Sequence, residues 1–169
     1  MGLKQVPEET SHASMLIFLL LRYPQIFIIN FNLAKELFRI SFMLKIKLDN
    51  ERYIKFRKSF SECLGIYKDM VGVTRSPRIN RRNVDNRTLL QVTWKNDNIS
   101  IEEVNLVSSL VLKEFHKDLI IETRKESFIQ RNSAEGDERF ELLPPRRKEN
   151  EEENLFAFRE AGRVYVFDK

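Results

Sequence analysis

Hydrophobic and polar residues change rhythm several times along the chain, and each rhythm predicts an element. In "LKIKL" (44–48), Leu44, Ile46 and Leu48 alternate with lysines, the period of a short half-buried strand. Asp49 or Asn50 then caps a helix whose apolar stripe runs Tyr53, Phe56, Phe60, Cys63, Tyr67 and Met70, in steps of three and four. Gly65 weakens that helix and Gly72 ends it. "TLLQVTWK" (88–95) puts Leu90, Val92 and Trp94 on one face, and its β-branched residues favour a strand. "NDN" (96–98) signals a turn. "SIEE" (100–103) offers a capping box, with the Ser100 hydroxyl accepting from an orphan amide while Glu103 reaches back. The helix that follows aligns Val104, Val107, Val111, Phe115 and Leu119 and is expected to run to about residue 131. The alternative is a break near Asp118 that frees "LIIET" to pair as a strand.

The flanks differ. Residues 14–44 hold five of the thirteen phenylalanines, yet the uninterrupted apolar run covers only 15–21 before Arg22, Pro24 and Gln25 intervene. A membrane helix needs about 20 apolar residues, and a central arginine costs about 2.5–3.5 kcal/mol on insertion scales. A helix docked on the domain, a membrane-interface segment and a true span or signal peptide all stay open here. Towards the other end, "NSAEGDER" (132–139) and "LPPRRKENEEEN" (143–154) have the composition of solvated linker. "FAFREAGRVYVF" (156–167) carries enough apolar residues to dock as a late strand or on a partner.

The order strand, helix, basic segment, strand, long helix predicts an α+β fold, a small two-layer α/β arrangement. In it a short antiparallel or mixed sheet is covered by two amphipathic helices, with a hydrophobic N-terminal helical segment attached. Two strands make a marginal sheet, so another is implied from 73–80, from 163–167 or from a second subunit. The divisions are 1–42 hydrophobic segment, 43–131 core domain, 132–155 charged flexible linker and 156–169 docking segment.

Charge refines this picture. The net +4 is distributed as four bases and three acids over 1–42, eighteen and twelve over 43–132, and seven and ten over 133–169. An anionic partner therefore meets the middle of the chain. Within it, "TRSPRINRRNVDNR" (74–87) carries five arginines against one aspartate and no hydrophobic periodicity, which predicts a basic loop. Arg75, Arg78, Arg81, Arg82 and Arg87, with Lys95 and Lys68 beside them, are the candidate phosphate-binding residues, since guanidinium groups fork onto phosphate oxygens. Trp94, Tyr67 and Tyr53 are candidate stacking faces. The competing reading is a solvated loop. Ser76, followed by Pro77 and flanked by Arg75 and Arg78, is a candidate phosphorylation point whose modification would cancel local positive charge.

Candidate chemistry is sparse. His12 and His116 are separated by most of the chain, and one cysteine, Cys63, assembles neither a zinc set nor an internal disulfide. Cys63 is expected as a buried core thiol. The five isolated glycines form no phosphate-binding loop. No catalytic residue, metal or small-molecule cofactor is expected.

The stretch "RTLLQVTWKNDNISIEEVNLVSSLVLKEFHKDLIIET" (87–123) resembles the strand-then-long-helix end of the small dimerising subunit of the KEOPS tRNA-modification complex. "LKIKL" and helix 51–71 stand where that family has a preceding strand-helix unit. The resemblance implies an α+β fold, dimerisation through sheet and helices, and no catalytic residues of its own. It rests on pattern over about half the chain. The basic insert and both tails depart from it, so no residue roles are carried over.

Together these readings lead to a non-enzymatic adaptor subunit contacting nucleic acid, RNA ahead of DNA, or an acidic protein through 74–87, in an intracellular setting. Protein partners, including a second copy, fit the same reading. The rival is a membrane-associated protein anchored by 15–42.

Overall fold

The greasy N-terminal stretch divides into a helix and two strands. In the computed structural model, which describes residues 8–95, 99–122 and 154–168, it supplies α1 (Glu8–Arg22), β1 (Ile28–Asn32) and β2 (Leu37–Leu44). There follow α2 (Asn50–Val71), β3 (Arg78–Val84), β4 (Arg87–Lys95), α3 (Ile101–Phe115), β5 (Asn154–Glu160) and β6 (Arg163–Asp168). The strands form one antiparallel sheet in the order β3-β4-β2-β1-β5-β6. The architecture is the small α+β fold that the patterning predicts.

The alternation that matters most lies earlier than "LKIKL". In β2, Phe38, Ile40, Phe42 and Leu44 are each at most 1% exposed and share one face of the sheet. Of the expected strand 44–48, only Leu44 belongs to a strand. Beyond it the backbone leaves β2's pairing: Lys45 N donates to Asp118 O (2.7 Å) and Leu48 N to Thr88 Oγ1 (2.8 Å). β2 pairs with β1 on one side and, over its full length, with β4 on the other. A boundary drawn between residues 42 and 43 therefore falls inside β2, one of the two central strands.

All three helices pack on the β2 face that carries Phe38 and Phe42. α1 buries Leu16, Leu19 and Leu20 and packs on β5 and β6. His12, buried near its start, lies 5.3 Å from the Phe31 ring of β1. The C-terminal segment predicted to dock is thus a hairpin, β5–β6, and Arg159 fastens it by donating to Pro24 O (3.1 Å). Its turn, Ala161–Gly162, has φ of 48° and 75°, the left-handed pair that a two-residue hairpin loop requires.

α2 has the predicted caps: the Asp49 side chain accepts from Arg52 N, and Gly72 stands at φ 75°. Its buried stripe differs from the expected one, being Phe56, Phe60 and Leu64, with Cys63 half-buried and Met70 exposed. Past Leu64 no residue of α2 is fully buried, so the stripe continued through Tyr67 to Met70 leaves the core and ends in solvent. α3 keeps its predicted face but stops at Phe115, short of residue 131. Asp118 N and Leu119 N both donate to Phe115 O, closing the helix in a turn. Leu119 then bridges to Leu44, on the side of β2 that β1 has vacated. Break and pairing are the alternative that the sequence left open; 96–98 and 123–153, including the linker, lie outside the described residues.

Deletion of residues 1–42 removes α1, β1 and most of β2. The 43–169 chain is expected to show no cooperative thermal transition by circular dichroism, in contrast to the full chain.

Candidate nucleic-acid interface

The arginine-rich segment is not a loop along most of its length. Residues 78–84 form edge strand β3, hydrogen-bonded to β4, and Asp85–Asn86 make the turn between them. Periodicity is weak because the strand lies at the sheet margin, where only Ile79 is buried. Strand geometry then sorts the arginines, because successive side chains point to opposite faces.

Arg81 points to the helix-covered face. Its guanidinium donates to Leu48 O (2.9 Å), Asp49 O (2.8 Å) and Asn50 Oδ1 (2.9 Å), and lies 4.7 Å from the Tyr53 ring centroid. A cation beside a helix N-terminus opposes the macrodipole; here three directed hydrogen bonds to oxygen acceptors outweigh that term. Arg81 therefore pins the β2–α2 connection to β3 and is occupied. Tyr53 is held as well, donating to Ile79 O (3.2 Å).

Arg78 and Arg82 point the other way. In register with them on the same face stand Arg87, Leu89, Gln91, Thr93 and Lys95 of β4, and Leu37, Arg39, Ser41 and Met43 of β2. Arg39, absent from the candidate set, donates from Nε to Thr93 Oγ1 (3.0 Å). Arg78, Arg82, Arg87 and Lys95 are exposed and make no side-chain hydrogen bond or ion pair among the described residues. On this face of β1–β4 there are five bases and no carboxylate. Among the described residues no helix covers it.

Arg75 and Ser76 lie outside this array, exposed in the stretch between α2 and β3. Pro77 is buried, so an enzyme reading the Ser-Pro pair would have to lift the proline from its packing. Lys68, near the end of α2, is not part of the sheet face.

None of the aromatic residues proposed for stacking reaches this face. Trp94 is buried under α3, donating Nε1–H to Glu103 Oε1 (3.2 Å), and Tyr67 shares a hydrogen bond with Ser100 Oγ (3.2 Å). The aromatic residues that do occupy it come from the C-terminal hairpin. Pairing around Ala161–Gly162 sets Phe156 opposite Phe167 and Phe158 opposite Tyr165. The Phe158, Tyr165 and Phe167 ring planes lie within 25° of one another, with centroids 5.4, 5.5 and 6.5 Å apart. Those distances form a triangle, not the line of a single face-to-face column, so the rings make a patch. Phe167 is 51% exposed. The equal spacing of 156, 158, 165 and 167 about "AG" contained this hairpin; the segment's helix-compatible flank "FREAG" hid it.

Glu103, Arg52 and Asp118 are engaged in packing. Ser100 Oγ accepts from Glu103 N (3.1 Å) and the Glu103 carboxylate reaches back to the Ser100 backbone amide, as the capping box predicts, while also accepting from the Trp94 indole. Burial pushes the Glu103 carboxyl above the ordinary carboxylate range, against the opposing pull of the Trp94 hydrogen bond and of Ser100. Arg52 ties α2 to the end of α3 through Asp118 (2.9 Å). Among the described residues no group of His, Cys, Asp and Glu is arranged to hold a metal ion, and no helix is long and apolar enough to cross a membrane. Much of the segment considered as an anchor is sheet: 28–32 and 37–42 belong to β1 and β2. No family model, curated protein or solved structure matches the chain.

Two outcomes check these assignments. Arg81→Ala should cost about 1–2 kcal/mol, read from denaturant midpoints, while leaving polyanion binding unchanged. Glu103→Gln keeps an acceptor for Trp94 but cannot ionise. A raised carboxyl contributes stability below its unfolded pKa of about 4.3, lost as pH climbs through the folded value. The stability of Glu103→Gln relative to the parent should therefore improve between pH 4 and pH 7 in urea melts; a pH-independent difference would contradict the assignment.

Proposed function

We propose that this protein is a non-enzymatic binding subunit that holds nucleic acid, RNA ahead of DNA, on the open face of its sheet. The observation that carries the reading is the row of five bases, Arg39, Arg78, Arg82, Arg87 and Lys95, on one face of adjacent strands without a carboxylate among them. Phosphate contacts of this kind give affinity without sequence preference. Polar neighbours on the same face, Asn80, Gln91 and Thr93, supply donors and acceptors suited to a ribose 2′-hydroxyl. Binding is favoured over catalysis because Glu103 and Thr88, two of the buried polar groups, serve packing: Glu103 bonds Trp94, and Thr88 bonds Leu48 N and Asn83.

The test is affinity for a labelled oligonucleotide as a function of salt. For single strands the slope of log affinity against log salt is about −0.7 per phosphate contact. Removing three contacts in Arg78→Ala/Arg82→Ala/Arg87→Ala should flatten it by about 2 and weaken binding at least tenfold at low salt. Unchanged affinity in that variant would refute the proposal.

A further inference from the structure

We infer that the partner is single-stranded, with bases laid on the Phe158, Tyr165 and Phe167 patch while phosphates follow the basic strands. The inference rests on the nucleic-acid reading above and adds the aromatic end of the face to it. Register places both parts on one surface: Arg78, Thr93, Arg39, Asn30, Phe156 and Phe167 form a continuous row of partners across all six strands. At about 4.8 Å per strand, this row is roughly 24 Å wide.

Two physical arguments favour a single strand. The major groove of B-DNA admits a helix or a two-stranded ribbon, not the face of a six-stranded sheet. The A-form major groove is deep and narrow, closed to side chains, so an RNA duplex offers this surface phosphates and minor-groove 2′-hydroxyls but no unstacked base. Bases in either duplex are already stacked on each other and present no free π-face to Phe158 or Tyr165. An unpaired strand has free π-faces, and stacking on aromatic side chains tolerates any base.

The basic strands alone would bind single and double strands by charge, so the aromatic patch is the part that discriminates. Asn30 and Asn32 of β1 lie between the two regions, and the Asn32 side chain donates to that of Asn154 on β5. Asn30, between Arg39 and Phe156, is thus a polar uncharged step suited to sugar and backbone oxygens, while Ile28 beside Phe158 extends the apolar end of the face.

The experiment uses the full chain and three fluorescein-labelled probes at one salt concentration: a mixed-sequence single-stranded RNA, its perfect duplex, and an abasic strand of equal length. The parent protein should bind the single strand at least tenfold more tightly than the duplex or the abasic strand. Phe158→Ala/Tyr165→Ala/Phe167→Ala should lose that preference, yet keep the abasic affinity and its salt slope. Phe167→Ala alone, at an exposed position, should lose part of the preference and guards against misfolding of the triple variant. If either form, folded by circular dichroism, keeps the full preference, or if the parent binds duplex equally well, the inference is overturned while charge-driven binding stands. If the parent binds none of the three probes even at low salt, the function proposed above falls with it.

Discussion

The register of β2 is the constraint from which the rest of the structure follows. Phe38, Ile40, Phe42 and Leu44 are sealed beneath the helices, and a slip of one residue would exchange them for Leu37, Arg39, Ser41 and Met43. Burying Arg39 without a counter-charge while exposing two phenylalanines would cost far more than marginal stability allows. β2 is therefore locked, and its pairing fixes β4 and β1, which in turn fix β3 and β5. The composition of the open face is a consequence of that locking. Once Ile40 points inward opposite Val92, Arg39 and Thr93 must share the outer face, and Arg78 must join them.

Elements whose signal is local were legible in the sequence. The caps of α2 at Asp49 and Gly72, the Ser100 cap of α3, and strand 88–95 each rest on a few adjacent residues, and each stands where the pattern put it. What escaped depends on tertiary context. β1 and β2 are covered on one face and half-covered on the other, so "FIINFNLAKELFRISFML" reads as a greasy run without a clean period. β3 failed for the opposite reason, since an edge strand beyond the helices retains one buried residue, Ile79. The end of α3 was invisible because the pairing that competes with it, Leu119 with Leu44, joins residues far apart in the chain.

The candidate residues divided along the same line. Composition found the arginines but not their faces, and the two-residue period separates Arg81 from Arg78 and Arg82. Charged side chains on an edge strand also have a plainer use, since they discourage edge-to-edge pairing with another sheet. Arg78 and Arg82 would serve that end in any protein. Edge protection does not account for Arg39, which sits on an interior strand, nor for Arg87 and Lys95 on β4, which has partners on both sides. The excess of bases away from the edge is what the proposed binding face requires and a guarded margin does not.

In the proposed binding mode, distance sets how the two ends of that face would divide the work. Neighbouring strands are about 4.8 Å apart, less than the Debye length of about 8 Å at physiological salt. The bases of β3 and β4, and those of β4 and β2, therefore reinforce one another pairwise towards an approaching polyanion. The ring patch on β5 and β6 lies roughly 10–19 Å from β2 and β4, beyond that screening length, and carries no charge. It contributes nothing to attraction at a distance, and all that it adds must come from contact. Charge on one half of the sheet would gather a polyanion of any kind, whereas rings on the other half would reward only a partner with planar faces to offer.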